Sequence, residues 1–465
     1  MSTIGTSDNP LRVAIFGAGP TGFYAVDHLF KQKDLVIKVD LYDRLPTPFG
    51  LVRGGVAPDH QKIKSVTKAY TRTAKNPNFR FFGNVEFGTD ITLNDIKKHY
   101  HTVLFTTGAQ TDKPLNIPGI DLENSHAATE FVAWYNGHPD YRNLKFDLTQ
   151  ERVAVIGVGN VAMDVARILS RSIAELEETD IADYALDALR NSQVKEVYVL
   201  GRRGPAQAAF TNPEIKEMGH LADADVFTLP EEVELDKLSV AELERTNDRT
   251  IQKKVGILQD YAKNEPTGKS RKLIFRFLVS PTELSGENGK VTNMTLVKNE
   301  LYQTDSGTLR PRSTEKTEEL PVGLVFRSIG YRGVPLPDVP FYDSWGVILN
   351  EKGRILDKGS KTPLTGMYTA GWIKRGPSGV IGTNKPDAVE TVNLMLEDLK
   401  AEKTWSPDAP TVEAAEAMVA AKQPRYVTWT DWLKLDEMEV ARGKELGRPR
   451  LKFTEVEEML KAVGK

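Results

Sequence analysis

Two stretches of the chain repeat one pattern of apolar and polar positions. In the first, the unbroken apolar run Val13-Ala14-Ile15-Phe16 ends at Gly17-Ala18-Gly19-Pro20-Thr21-Gly22, after which Phe23, Tyr24, Val26 and Leu29 fall at helical spacing. In the second, Val153-Ala154-Val155-Ile156 runs into Gly157-Val158-Gly159-Asn160-Val161-Ala162, and a helical pattern continues to about Ser170. A short β-branched run without alternation predicts a strand buried on both faces, as in a parallel sheet. The glycine turn that follows aims backbone N–H groups and the positive end of a helix at a phosphate. Gly157 permits the tight turn, Gly159 lets the backbone approach a pyrophosphate, and Ala162 allows close helix–strand packing. One such turn is a weak signal; two predict two nucleotides held by two domains.

Further runs extend each unit. Val36–Tyr42 predicts a second strand ending at Asp43, and Arg80–Val85 and Val103–Ala109 predict two more. Val194–Leu200 predicts the matching second strand of the later unit, ending in Gly201-Arg202-Arg203-Gly204. Strands at Lys272–Phe277 and Val291–Val297 follow, and Leu324–Tyr331 reads as a strand returning to the first unit. Near the end a strand closes at Ala370-Gly371, a Gly/Pro-rich loop follows, and a helix runs from about Asp387 to Lys400. The expected fold is α/β, with two Rossmann-like dinucleotide-binding domains.

The two second strands end in opposite charges. A carboxylate such as Asp43, roughly 20–30 positions past the first glycine, suits a ribose hydroxyl and repels a 2′-phosphate, so the front site suits FAD or NAD. Its plainer reading is a solvated strand end. Arg202 and Arg203 at the equivalent place accommodate a 2′-phosphate and so select NADP; their plainer reading is exposed surface. An acidic helical insertion around 174–189 explains why they follow Gly157 at more than the usual distance of about 20 residues. Between the first helix and the third strand, residues 46–60 are apolar and rich in Gly and Pro, as in a loop shaped around a ligand. The N-terminal end of the late helix suits the electron-rich edge of a flavin, with Trp372 either stacking near a ring or packing in the core.

Composition narrows the chemistry. The 465 residues allow two or three domains, and 40% hydrophobic with 27% charged residues describes an ordinary globular chain. A net charge of -3 makes nucleic acid a poor partner, and no apolar run predicts insertion in a membrane, so the expected location is cytoplasmic. The chain has no cysteine. That removes disulfides, a Cys-x-x-Cys redox pair and a cysteine-bound cluster of its own, leaving electron chemistry to an organic cofactor or to a separate protein. There is no metal-ligand spacing, nucleophile elbow or P-loop, and no metal is expected.

Together, Gly17–Gly22, Pro48-Phe49-Gly50-Leu51-Val52-Arg53, Val56-Ala57-Pro58-Asp59-His60, Gly159–Ala162, Gly201–Pro205 and Gly371-Trp372-Ile373-Lys374-Arg375-Gly376-Pro377 resemble the adrenodoxin-reductase-like family of ferredoxin–NADP+ reductases. The resemblance spans almost the whole chain. It implies a discontinuous FAD domain, residues 1–108 and 333–465, with an NADP domain, 109–332, inserted in it. FAD would lie on the turn of Gly17, Gly19, Pro20 and Thr21 and on Asp43, Leu51, Val85, Trp372, Gly379, Val380 and Ile381. NADP would meet Val158, Gly159, Asn160, Val161, Arg202, Arg203, Glu214 and Gly379. The implied reaction is hydride transfer from NADPH to flavin N5, then single-electron release to a separate ferredoxin-type iron–sulfur protein. His60 and Glu214 are the candidates for tuning charge and proton supply, with loop anchoring and a helix-start carboxylate as their plainer roles. Basic residues, Lys374 and Arg375 among them, are expected to dock the acidic partner. Two departures stand out: Asp43 where the family often has a longer Glu, and Pro213 directly before Glu214. The competing readings are an NADPH-dependent flavin monooxygenase or oxidase, an NADPH diaphorase acting on quinones, and a non-enzymatic NADP sensor.

Overall fold

A computed structural model describes residues 3–465. Its first sheet has seven strands, and its order explains how the chain is threaded. The strand Leu11–Phe16 lies between Ile37–Tyr42 and Thr102–Phe105, with Phe79–Phe82 at one edge, all parallel. On the other side Thr102–Phe105 pairs with Pro363–Thr369, also in parallel, and two short antiparallel strands from residues 350–356 close that edge. Residues more than 250 positions apart therefore complete one sheet. Leu11–Phe16 is buried at every position, which accounts for its unalternating sequence.

The second sheet has six parallel strands, in the order Ser125–Ala127, Leu324–Arg327, Arg152–Ile156, Glu196–Gly201, Arg271–Phe277, Ala224–Thr228. Leu324–Arg327 thus belongs to the second sheet, pairing Phe326 with Val155, rather than returning to the first. The chain crosses between the units through the small antiparallel pair Thr111–Asp112 and Tyr331–Arg332. Between 279 and 320 lies a three-stranded antiparallel meander, of which the sequence reading recovered only part of the middle strand, Lys290–Gln303. Its outer strand Leu309–Leu320 carries charged residues on half of its positions and little hydrophobic signal.

The acidic insertion consists of two helices, Ile173–Glu177 and Asp183–Arg190, separated by the buried turn around Asp180. Two basic residues of the C-terminal tail turn inward. Arg448 is buried and donates to the carbonyls of Thr179 and Ile181, while Lys452 is buried against Asp180. The tail thereby pins the second unit to the first.

Candidate active site

At the front turn, sterics dictate glycine. Gly17 has φ 108°, and a Cβ there would stand 2.5 Å from the Thr106 carbonyl oxygen. Gly19 faces Gly50, a close approach of two backbones allowed by the left-handed residues Phe49 (φ 84°) and Gly50 (φ 49°). Pro20 opens the helix Pro20–Leu29, whose N-terminus has no side-chain cap, so its first amides point into the turn unsatisfied. Thr21 is buried against Gly371, which brings the late loop onto the front turn.

Asp43 stands at the end of its strand as expected, but it also has internal partners. Its carboxylate accepts the N–H of Ala18 within the turn (2.8 Å) and that of Leu45 (3.0 Å). Burial outweighs these bonds and raises its pKa. The shorter side chain therefore locks the glycine turn to the strand end while keeping lone pairs for a hydroxyl.

The second turn repeats the backbone and reverses the charge. Gly157 has φ 131°, and a Cβ would collide with the Ser328 carbonyl. Gly159 (φ −104°) has open space where a Cβ would sit, and it precedes the uncapped helix Asn160–Ser170. Val158, Gly159, Asn160 and Val161 are half-buried. The Val158 carbonyl accepts the N–H groups of Ala209 and Phe210, and the Asn160 side chain accepts that of Thr211 (3.0 Å), tying the turn to the segment before Glu214. Arg202 is exposed and Arg203 half-buried, and among the described residues neither guanidinium has an ion-pair partner. Burial and the neighbouring Arg202 lower the Arg203 pKa against the opposing pull of Glu242, so positive charge predominates there.

Between the turns lies a network that sequence reading found only at two points. His60 Nε2 is 3.1 Å from Glu217 and 4.0 Å from Glu214, and Nδ1 is 3.8 Å from Asp164. At the centre is Arg167, with no exposed side-chain surface, bound to Asp59 (2.7 Å), Asp164 (2.6 Å) and Glu214 (3.2 Å). Arg171 adds bonds to Asp59 (2.7 Å) and Glu217 (2.8 Å). Burial works against the protonated imidazole, yet the hydrogen bond to Glu217 prevails and the His60 pKa stands above 6.5. Burial raises the carboxyls of Asp164 and Glu214, whereas the His60 bond lowers that of Glu217. The guanidinium groups neutralise carboxylates that would otherwise gather a cation. Pro213 is accommodated in the first turn of the helix Asn212–Met218, where a missing N–H costs nothing.

The remaining expected residues scatter more. Leu51 opens a one-turn helix and is 39% exposed, free to touch a ligand. The Val85 side chain is core, packed with Phe16, Phe82 and Phe87, while its N–H donates to the Asp43 carbonyl. Trp372 is half-buried, stacks obliquely on Tyr331 (5.6 Å) and donates to the Ser378 carbonyl. Gly379 and Val380 are exposed and Ile381 half-buried, just before the helix Asn384–Lys400, which starts earlier than expected. Lys374 is no docking residue. It is buried and bound to Asp387 (3.0 Å) and Glu390 (2.6 Å), and Arg375 is spent on Ser378 and Asn384.

Two sheets with parallel cores, each with a glycine turn at the carboxyl end of an interior strand, define a two-dinucleotide oxidoreductase. Residues 11–218 match the family described as pyridine nucleotide-disulphide oxidoreductase, although this chain lacks any cysteine. The NADPH-ferredoxin reductase FprA of Mycobacterium tuberculosis is 44% identical over 97% of this chain and 99% of its own. The mitochondrial NADPH:adrenodoxin oxidoreductase of Homo sapiens is 39% identical over 99% of this chain and 93% of its own. A solved structure of Mycobacterium tuberculosis FprA in complex with NADPH superposes with a TM-score of 0.91 at 43% identity, covering 98% of this chain and 100% of that one. The chain belongs to this family of adrenodoxin-reductase-like NADPH–ferredoxin reductases.

Proposed function

We propose that the protein transfers electrons between NADPH and a separate ferredoxin-type iron–sulfur protein, with FAD held in the front unit. The observation that carries this reading is the pair of arginines near the Gly159 turn, without an ion-pair partner among the described residues, set against the internally bonded Asp43 beside the Gly19 turn. The front cradle fits FAD: its turn admits no side chain at Gly17, its helix amides are uncapped, and its carboxylate retains acceptor capacity. In this reading residues 1–108 and 333–465 hold FAD, and residues 109–332 hold NADP. FAD, when bound, accepts two electrons from NADPH and passes them on singly.

The protein's own residues bind, orient and supply protons. Arg202 and Arg203 clamp the 2′-phosphate, and the amides of Gly159–Val161 take the pyrophosphate. Leu51 and Trp372 shape the front site, and the Gly379–Ile381 loop adjoins both nucleotides. Val85 contributes through its backbone. His60 and Glu214 hold a proton close to where the two sites meet, and Arg167 fixes the position of both. No helix among the described residues is long and apolar enough to cross a membrane. The ferredoxin and adrenodoxin activities of the relatives favour this reading over the oxygenase, quinone-reductase and sensor alternatives.

Stopped-flow mixing tests the proposal. The purified yellow protein should bleach rapidly with NADPH and slowly with NADH, and the reduced protein should recolour faster with a ferredoxin than with O2. A colourless protein, or equal rates with the two coenzymes, overturns it.

A further inference from the structure

Hydride transfer needs the two nucleotide sites held at one distance and one tilt. The Arg167–Asp59 pair joins the units at one point, and one point leaves rotation about it free. A second buried cluster spans the units away from the glycine turns. The Lys452 ammonium, in the C-terminal tail, donates to the carbonyls of Asn136 (3.0 Å) and Arg53 (3.3 Å) and lies 3.3 Å from the Asp180 carboxylate. Lys64 donates to both oxygens of that carboxylate (2.6 and 2.9 Å) and to the Asn136 side chain (3.4 Å). Lys64, Asn136, Asp180 and Lys452 are all buried.

Two ammonium groups on one carboxylate leave surplus positive charge out of water. Burial, with Lys64 and Arg53 close by, holds the Lys452 pKa well below its ordinary value despite the pull of Asp180. Such a cluster is a poor source of stability, since apolar residues of the same shape would join the units at less cost. What it adds is direction: apolar contact tolerates sliding, whereas these bonds form only when three segments present their oxygens at fixed places. Those segments lead to the two sites. Arg53 lies in the one-turn helix Leu51–Gly54, which carries Leu51 of the front site. Lys64 ends the helix Gln61–Lys64, directly after His60. Asn136 follows the helix Ala128–Tyr135, which shares a core with Asn160–Ser170, the helix behind the second turn. Arg448 and Glu455 of the tail also grip the second unit, at the Thr179 and Ile181 carbonyls and at Arg142 (2.9 Å), but of the three tail residues Lys452 alone also reaches the Arg53 carbonyl.

We propose that Lys452, with Asp180 and Lys64, is a positioning residue for hydride transfer: the tail drives an ammonium peg between the units and fixes the flavin loop against the coenzyme helix. The inference rests on the function proposed above.

The test uses the flavin-loaded protein. Lys452→Met keeps the length of the side chain and leaves Lys64 and Asp180 as a balanced pair, so it should fold, keep its flavin and melt close to the wild type. Its rate constant for flavin reduction by NADPH in stopped flow should fall about tenfold or more, as expected for rings displaced by about 1 Å. The NADPH Kd should stay unchanged, and the long-wavelength absorbance of stacked nicotinamide and flavin should weaken. Asp180→Asn should act in the same direction. A further readout needs no turnover. The chain has no cysteine, so Asn94→Cys and Glu244→Cys, exposed positions on the helices Leu93–His99 and Lys237–Thr246, place one spin label on each unit. Double electron–electron resonance should show a narrow distance with the peg intact and a broadened or shifted one with Lys452→Met. An unchanged reduction rate, or a slowed one with an unaltered distance distribution, overturns the positioning role alone. Loss of flavin from both Lys452→Met and Asp180→Asn assigns the cluster to stability and overturns it as well. A wild type whose flavin NADPH does not reduce overturns the functional reading and the positioning role together.

Discussion

The two glycine turns share a backbone and differ in what surrounds their charge. At the front turn the charged group is spent internally: Asp43 bonds Ala18 and Leu45 and is part of the turn's own scaffold. At the second turn the guanidinium groups of Arg202 and Arg203, just past the strand end, have no ion-pair partner among the described residues. A site whose charge is already satisfied can hold a neutral hydroxyl in fixed geometry. A site with uncompensated charge is completed only by an anion, and so discriminates between coenzymes that differ by one phosphate. The same contrast holds for the glycines. Gly17 is required by the fold, whereas Gly159 faces open space and is required only by what approaches it.

The contrast breaks most sharply at Gly17. Gly17→Ala combines a left-handed φ with a backbone collision and should destabilise the front unit by more than about 3 kcal/mol, read by urea unfolding together with loss of bound flavin. Gly159→Ala should leave stability within about 0.5 kcal/mol and raise the NADPH KM with flavin content unchanged. Next, the double variant Arg202→Ala/Arg203→Ala removes two charge-assisted contacts of about 1.5 kcal/mol or more each. It should raise the NADPH KM about 100-fold while moving the NADH value little, as steady-state kinetics would show. Asp43→Asn keeps one acceptor oxygen and leaves an N–H facing an amide donor, at a cost of about 1–2 kcal/mol. Slower flavin retention on gel filtration, without change in coenzyme preference, would set it apart from the arginine variant.

The smallest effect concerns pH. The folded His60 pKa lies above its ordinary 6.5, so its contribution to stability is complete below that value and is lost as pH rises through the raised one. Melting temperatures compared between pH 6 and pH 9 should fall more for the wild type than for His60→Gln, by an amount worth about 1 kcal/mol or less.

Much of this contrast was legible in the sequence, because turn, strand end and charge lie within a few residues of one another. Gly17, Asp43, Gly159 and Arg202 needed only local pattern. What escaped was produced by contact at long range. Arg167 lies on a helix with Met163, Ala166 and Ser170, all buried, and a lone arginine among such neighbours is the one signal that hinted at an internal role. Its partners, Asp59 and Glu214, come from segments more than 100 residues before and about 50 after it, and no periodicity links them. Lys374 and Arg448 resemble surface cations for the same reason: the carboxylates and carbonyls that bury them are distant in the chain or hidden in another element. Leu324–Arg327 was read as a strand correctly and assigned to the wrong sheet, since a buried strand carries no label for its neighbour.

The seven-stranded sheet also sets a timetable for biogenesis. The middle unit is encoded without interruption and can consolidate as soon as it leaves the ribosome. The front sheet cannot: Phe105 waits for Thr369, 264 residues later, before its outer edge is covered. Until then a half-made parallel sheet exposes an apolar rim, the period in which a nascent chain most needs a chaperone. Order of translation and order of assembly therefore diverge, and the sheet begun earlier is completed later.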